Sequence, residues 1–300
     1  MTALAFQRPS TDTLLGRALN GLLKSPKATI AAIVFLLLLL TAVFGPWLAP
    51  QDPYDLMQIS IMDAKLSPGS QSMAGATYWL GTDGQGRDML SAMIYGLRTS
   101  LAVGLVSGIV ALGIGTSLGL IAAYYGGRVD TLIMRLVDLM LGFPTILVAL
   151  MMLALIGQGL GKVMAALVLV QWALFARAVR GAALVEKGKE YVEAATCLGL
   201  GKGRILFGHL LPNCLPPLLV IATLQVANAI SAEATLSFLG IGLPITEPSL
   251  GLLISNGYEV LMSGQYWISV YPGLLLVALV FSINIVGDRL REVLNPRLQG

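Results

Sequence analysis

The sequence has few charged residues, a single histidine and two cysteines. Charged side chains make up 12% of its 300 residues, whereas hydrophobic side chains make up 56%. A soluble domain of this length carries about 25% charged residues. The composition therefore excludes an ordinary soluble protein and indicates an integral membrane protein.

Histidine and cysteine are too scarce for several kinds of site. The stretch 115–119 matches the G-x-S-x-G pattern of serine hydrolases, but the only histidine, His209, lies in a different segment from this serine. Cys197 and Cys214 lack the C-x-x-C spacing of zinc sites. The glycine-rich stretch 199–203 lacks the G-x-x-x-x-G-K-[ST] spacing of a phosphate loop. We expect no catalytic residue, no metal site and no bound cofactor in this chain.

Long runs without charge dominate the chain. A membrane-spanning helix needs about 20 predominantly apolar residues. The long uncharged runs are residues 28–51, 99–127, 139–161, 205–232 and 260–287, and a shorter run covers residues 163–176. The short run would span only about 21 Å, and it reaches both interfaces if the cations that flank it extend outward. The sequence therefore predicts an all-α membrane protein with six transmembrane helices.

The distribution of cations predicts the orientation of these helices. If the N-terminus is cytoplasmic, 15 of the 19 Lys and Arg residues fall on the cytoplasmic side, and the C-terminus is cytoplasmic as well. The net charge of +3 then reflects topology, and we expect no nucleic-acid partner. The predicted divisions are a cytoplasmic N-terminal tail (1–27), a first transmembrane helix (28–46), an extracytoplasmic segment (47–97), a five-helix core (98–291) with a cytoplasmic loop (186–208), and a cytoplasmic C-terminal tail (292–300).

Two carboxylates lie within apolar surroundings, where an unpaired charge is costly. Asp138 follows Arg135 by three residues, which predicts a local ion pair. Glu233 lies near the predicted outer end of the fifth helix, in a stretch that also contains Asn228 and Ser231. We expect Glu233, Asn228 and Ser231 to be candidates for a translocation pathway.

Two local signals concern the second helix. Asp88 precedes its first residues and is a candidate N-cap. The pairs Gly104/Gly108 and Gly115/Gly119 follow the small-xxx-small pattern, which permits close approach of a neighbouring helix in lipid. We expect these glycines to serve helix packing.

A basic, glycine-rich loop interrupts the apolar runs between residues 191 and 212. Glu193, Ala194 and Ala195 favour a short surface helix, and glycines follow at every second position from 199 to 203. Alanine side chains permit close approach of another protein, and glycine permits a sharp reversal of the chain. The pattern predicts a protruding helix and turn that fit a groove on a partner protein.

At these residues the sequence resembles the integral-membrane permease subunits of binding-protein-dependent ABC importers. Their cytoplasmic motif reads E-A-A, three residues, G, nine residues, I, one residue, L-P. It is matched here by Glu193, Ala194, Ala195, Gly199, Leu211 and Pro212, with His209 at the isoleucine position. The stretches 80–101, 119–144 and 232–242 are similar to those of the second permease subunit in the dipeptide, oligopeptide and nickel branch. The P-x-W-G element of that branch is present with Leu250 in place of tryptophan.

The resemblance implies a type I ABC importer permease fold in the bacterial inner membrane. It implies a second homologous permease subunit, two cytoplasmic ATPase subunits that bind ATP and Mg, an extracytoplasmic substrate-binding protein and membrane lipid as partners. The helix within 186–208 would transmit the motion of the ATPases to the membrane. The favoured cargo is a di- or oligopeptide, with a nickel chelate, an opine or another small solute as alternatives.

An ion-coupled secondary transporter is the alternative function. Such transporters contain structural repeats with broken helices and bind their ions near the middle of the membrane. The sequence shows no clear repeat, and Glu233 is the single strong acidic candidate. Co-purification with an ATPase subunit would distinguish the two functions.

Overall fold

The computed structural model describes residues 14–55, 57–72 and 75–294. The predicted tails, 1–27 and 292–300, therefore lie partly outside the described residues. The helices are α1 (Leu14–Leu23), α2 (Pro26–Leu48), α3 (Met89–Tyr125), α4 (Gly127–Gly142), α5 (Thr145–Ile156), α6 (Leu160–Lys187), α7 (Glu190–Cys197), α8 (Lys202–Arg204), α9 (Leu211–Phe238), α10 (Leu250–Val260) and α11 (Trp267–Leu294). A π-helical turn (Ile205–Leu210) joins α8 to α9, and short 3-10 turns cover Ile61–Asp63 and Leu261–Ser263. Strands β1 (Ser70–Gln71) and β2 (Thr77–Tyr78) form an antiparallel pair.

Among the described residues, five helical runs are long and apolar enough to cross a membrane. They are α2, α3, α6, the continuous run α8–α9, and α11. A sixth span results if α4 and α5 are counted together, although these two helices meet at 90°. The predicted all-α membrane fold is therefore confirmed, with one of its six spans broken.

The break falls inside the predicted third span, residues 139–161. Phe143 is extended (φ −103°, ψ 146°) and is followed by Pro144. Proline disfavours a helical conformation at the preceding residue and has no N–H to donate, so α4 ends and α5 starts anew. The short uncharged run 163–176, by contrast, lies within α6, which is a continuous helix of 28 residues.

Ion pairs between α4 and α6 correct one sequence prediction. Arg177 and Arg180 of α6 pair with Asp138 and Asp130 of α4, respectively. The predicted local pair between Asp138 and Arg135 is therefore wrong, because a guanidinium from the neighbouring helix reaches the carboxylate instead. The side chains of Arg177 and Asp138 are 51% and 66% exposed in this chain.

The segment between α2 and α3, residues 49–88, forms a cap at one end of the helices. Asp63 is buried in it and accepts a hydrogen bond from the hydroxyl of Tyr78 at 3.2 Å. The indole N–H of Trp267 donates to the carbonyl oxygen of Thr82 at 3.2 Å, which attaches the cap to the start of α11. The described residues of this segment are therefore packed against the helices as part of the fold.

The cap also fixes the start of α3. Arg87 and Asp83 form an ion pair at 2.7 Å, with both side chains 1% exposed. Asp88 caps α3, since its carboxylate accepts a hydrogen bond from the backbone N–H of Ser91 at 2.8 Å. This confirms the predicted N-cap.

Close packing around α3 depends on its glycines. A Cβ atom added at Gly115 would lie 2.4 Å from the carbonyl oxygen of Trp172 in α6, and Gly119 is similarly close to α6. A Cβ atom added at Gly104 would lie 2.5 Å from Cγ1 of Ile230 in α9. The predicted packing through small residues is confirmed, and it brings both α6 and α9 against α3.

Candidate functional site

The short helix α7 has one buried side and one exposed side. Val192 and Ala195 are buried and belong to a hydrophobic cluster that includes Leu120 of α3. Glu193 and Ala194 are exposed. The two alanines therefore have different environments, and the prediction that both form a docking surface is corrected: Ala195 packs inward, one helical step away from Ala194.

Gly199 ends α7 in a left-handed conformation, with φ +69°. The N–H of Leu200 donates to the carbonyl oxygen of Ala195 at 3.2 Å, and the N–H of Gly199 donates to that of Thr196 at 3.0 Å. These two bonds form a Schellman motif, in which the left-handed residue is usually glycine. A Cβ atom added at Gly199 would meet nothing within 4 Å, so its conformation, and not lack of space, requires glycine here.

The other glycines of this loop have no such requirement. Neither Gly201 nor Gly203 has a positive φ, and an added Cβ atom would meet nothing within 4 Å at either position. Of the three alternating glycines, only Gly199 is therefore required for the conformation of the turn.

Leu211 and Pro212 begin α9, directly after the π-helical turn. Pro212 has no N–H to donate one turn back, and the N–H of Leu211 donates five residues back, to Leu206. His209 lies within this turn, and its carbonyl oxygen accepts a hydrogen bond from Asn213 Nδ2 at 2.8 Å. The wider turn therefore connects the α7 loop to a long spanning helix.

A cleft of about 630 Å³ lies between α7 and the C-terminal end of α3. The ammonium groups of Lys187 and Lys202 lie 5.6 and 5.3 Å from the ring centres of Tyr124 and Tyr125. Glu193 borders the cleft, and its carboxylate has no ion-pair or hydrogen-bond partner within the part of the chain that the structure describes. The cleft thus presents two cations placed over aromatic rings and one free carboxylate.

Tyr191 attaches α7 to two long helices. Its hydroxyl donates to Glu186 Oε2 of α6 at 2.9 Å and accepts from Asn213 Nδ2 of α9 at 3.2 Å. Burial, and then the hydrogen bond to Glu186, raise the pKa of Tyr191 to about 12. The hydroxyl therefore keeps its proton at physiological pH, and the donated bond to Glu186 persists.

A cavity of about 420 Å³ lies between α5, α6 and α9. Among the described residues, its lining contains no charged side chain and consists of Leu141, Thr145, Ile146, Ala149, Leu167, Val170, Gln171, Leu174, Gln225, Asn228, Ser231, Ala232, Thr235 and Leu236. Asn228 Nδ2 donates to Gln225 Oε1 at 2.8 Å. Gln171 Oε1 is buried and has no hydrogen-bond partner among the residues that the structure describes. The cavity is therefore neutral but contains several side-chain amides.

The structure separates Glu233 from the other two predicted pathway residues. Asn228 and Ser231 line the cavity, whereas Glu233 does not line it and is 0% exposed. Glu233 follows Ser231 by two positions, which is about 200° around a helix. Its carboxylate accepts hydrogen bonds from Ser100 and Ser237 at 2.8 and 2.7 Å. The grouping of Glu233 with the cavity residues is therefore corrected.

Sequence reasoning missed the two glutamines of the cavity. Gln171 and Gln225 are 7% and 8% exposed and lie within apolar runs of α6 and α9. A polar side chain within a membrane helix needs a hydrogen-bond partner or contact with water. The two glutamines within apolar runs could therefore have indicated a hydrated cavity from the sequence.

Comparison with known proteins identifies the family. Residues 115–300 match the family described as binding-protein-dependent transport system inner membrane component. The chain belongs to this family. In addition, residues 13–68 match the N-terminal transmembrane domain of oligopeptide transport permease C.

Several relatives are similar over most of their length. The chain is 38% identical to the dipeptide transport system permease protein DppC of Haemophilus influenzae over 272 residues, which cover 91% of each protein. It is also 38% identical to the di/tripeptide transport system permease protein DppC of Pseudomonas aeruginosa, over 91% of this chain and 89% of that protein. The probable D,D-dipeptide transport system permease protein DdpC of Escherichia coli is 35% identical, over 98% and 96% of the two chains.

A solved structure shares the fold. A chain of the MetNI methionine ABC transporter aligns with a TM-score of 0.57 and 23% identity, over 69% of this chain and 98% of that chain. The protein is therefore a multi-pass inner-membrane permease subunit of a binding-protein-dependent ABC importer, with the type I permease fold. Family membership excludes the alternative of an ion-coupled secondary transporter.

Proposed function

We propose that this chain forms half of the translocation pathway of an ATP-driven importer of di- or oligopeptides. A second, homologous permease subunit forms the other half, and the two make a heterodimer. The observation that carries the proposal is the neutral, amide-containing cavity, whose edge is formed by exposed residues such as Thr145 and Ile146. Relatives named for dipeptide and di/tripeptide transport support the cargo class.

In this proposal the chain itself breaks no bond. Two cytoplasmic ATPase subunits bind ATP and Mg, and an extracytoplasmic binding protein delivers the cargo. The absence of a phosphate-loop pattern from the sequence supports this division of labour, because backbone N–H groups and a hydroxyl at fixed spacing are needed to hold phosphate and magnesium.

The exposed side of α7 is the proposed contact with one ATPase subunit. The matched motif residues then divide into two groups. Glu193 and Ala194 form the docking surface, while Ala195, Gly199, Leu211 and Pro212 hold that surface in position. Glu193 is free to accept a charge-assisted hydrogen bond, which gains strength when docking excludes water.

Asn228 and Ser231 are the proposed pathway residues of α9, because both line the cavity. Glu233 instead receives a structural role, since hydroxyl groups surround its carboxylate and the cavity lies on another face of the helix. The pathway in this subunit therefore lacks a charged residue along the cavity.

Reconstitution tests the proposal. The permease pair with its two ATPase subunits is placed in proteoliposomes, and uptake of a radiolabelled dipeptide is measured with the binding protein present. We expect uptake to require both ATP and the binding protein and to persist when ion gradients are collapsed. Uptake without ATPase subunits would contradict the proposed mechanism. Failure to import any dipeptide, while a different solute co-purifies with the binding protein, would contradict the proposed cargo.

A further inference from the structure

We propose that Gln171 contacts the cargo and, with Gln225 and Asn228, recognises the main chain of a peptide without regard to the charge of its side chains. The proposal rests on the proposed peptide-import function and deepens it. Gln171 projects from α6 and the other two amides from α9, so the three line the cavity from two of its walls.

The first argument is the unpaired acceptor. Gln171 is 7% exposed, and its Oε1 atom has no hydrogen-bond partner among the described residues. Buried polar atoms in proteins are nearly always hydrogen-bonded, so an unpaired acceptor on a residue that lines a cavity points to a donor supplied from outside the chain. A peptide N–H is such a donor.

The second argument is that the two hydroxyls that α9 contributes to the cavity already donate their protons within the helix. Ser231 donates to the carbonyl oxygen of Ala227 at 3.0 Å, and Thr235 donates to that of Ser231 at 2.8 Å. The polar side chains left to donate to a cargo are therefore the three amides and the hydroxyl of Thr145. Each amide offers both donors and an acceptor, as does each peptide unit of the cargo.

The third argument is the lack of charge. No lining residue of this cavity is charged, so an acidic or basic side chain of the cargo meets no counter-ion and no like charge here. A volume of about 420 Å³ lies within the range of small-molecule sites, before a second subunit adds to it. The site thus suits a group that all small peptides share.

The test compares three variants in the reconstituted importer, at saturating binding protein loaded with each cargo. Gln171→Leu removes the amide at similar volume, and Gln171→Glu keeps the shape but adds a charge. Asn284→Leu is the matched control, since it removes an amide from the spanning helix α11 outside the cavity lining. The cargoes are dipeptides with acidic, neutral or basic side chains and a depsipeptide, whose ester oxygen replaces the peptide N–H.

We expect Gln171→Leu to lower the maximal uptake rate of all three dipeptides by the same factor, about threefold to tenfold, as for the loss of one hydrogen bond. The depsipeptide should lose almost nothing from this substitution, since it lacks the N–H that Gln171 accepts. Gln171→Glu should slow acidic peptides more than basic ones, and thereby create a discrimination that the wild type lacks. Asn284→Leu should transport every cargo at the wild-type rate.

Three results would overturn the inference: wild-type rates in Gln171→Leu, an equal loss for the depsipeptide, or a loss that depends on the charge of the cargo. Gln171→Glu keeps the test decisive if the leucine variant assembles poorly, because unchanged relative rates for acidic and basic peptides would also overturn it. Failure of the wild type to import any dipeptide would instead overturn the proposed function itself.

Discussion

The carboxylate of Glu233 in α9 accepts a hydrogen bond of 2.8 Å from the hydroxyl of Ser100 in α3. Ser237, one turn further along α9, donates a second bond at 2.7 Å. One buried acid thus joins α9 to α3. Because a buried carboxylate is tolerated only when it is well hydrogen-bonded, this arrangement favours a structural role for Glu233.

Substitution of Glu233 tests that role. We expect Glu233→Leu to lower the thermal stability of the purified complex, because buried hydroxyls left without an acceptor cost about 1–3 kcal/mol each. Glu233→Gln keeps the shape and one acceptor oxygen and should remain closer to the wild type. Thermal unfolding in detergent and uptake per folded complex provide the measurements. A leucine variant with wild-type stability and no uptake would argue for a direct role in transport.

The left-handed conformation of Gly199 makes a separate prediction. We expect Gly199→Ala to strain the end of α7 by about 1–2 kcal/mol and to reduce both ATPase co-purification and peptide uptake per ATP hydrolysed. Gly203→Ala is the matched control, since Gly203 is helical and unobstructed, and alanine favours a helix there by up to about 1 kcal/mol. If the two variants lost coupling equally, the conformation of Gly199 would not be the cause.

Glu193 should contribute to docking but not to folding. The residue is exposed and its side chain has no partner among the described residues, so Glu193→Gln should leave the thermal stability of the permease unchanged. We expect the same substitution to weaken ATPase binding about tenfold, as for a lost charge-assisted hydrogen bond. Added salt should weaken wild-type binding more than binding by the variant.

Glu259→Gln serves as the control for Glu193, because Glu259 is also exposed but lies in α10, on the opposite side of the membrane in the predicted topology. Binding of the ATPase should be unaffected by it. A similar loss of affinity in both variants would mean that overall charge, and not the α7 surface, controls association.

The orientation of the helices can be tested by cysteine labelling. Ser67 is an exposed residue of the cap, which the distribution of cations places outside. In a chain with Cys197→Ser and Cys214→Ala, we expect Ser67→Cys to react with an impermeant thiol reagent in intact spheroplasts. A chain that keeps only Cys197, which is exposed at the end of α7, should react only after lysis. The reverse pattern would invert the predicted topology.

The sequence predicted those features of the fold that depend on a single local property, such as the absence of charge or the presence of a capping residue. Long uncharged runs located the spans because lipid excludes charge, and the positions of Asp88 and Gly115 predicted a cap and a close contact because each depends on local chemistry. The bend at Pro144 was not anticipated, although proline has a clear mechanism for it. An uncharged run shows only that a segment is apolar, and the run 139–161 does not show where the backbone turns.

The candidate site was less predictable because it depends on the faces of helices. Glu233 and Ser231 are neighbours in the sequence, yet only Ser231 lines the cavity. The sequence did not indicate Gln171 as a functional residue, because a single glutamine matches no known sequence motif. Gln171 becomes a candidate because its side-chain oxygen is unpaired and because it lines the same cavity as two amides of α9. The three residues are far apart in the sequence, so only the folded structure brings them together.

The hydroxyl of Tyr191 connects two helical segments that differ in stiffness. The first segment is the part of α6 between Glu186 and Gln171, which is about 22 Å of uninterrupted helix. The second segment is the part of α9 between Asn213 and Gln225, which is about 18 Å long. Only the second segment contains prolines, at positions 216 and 217. These prolines remove two backbone hydrogen bonds and allow α9 to bend. A displacement of α7 would therefore move the α6 wall of the cavity as a rigid body, whereas the α9 wall would bend. The cavity would change shape through one wall more than the other, although a single hydrogen-bonded hydroxyl connects both walls to α7.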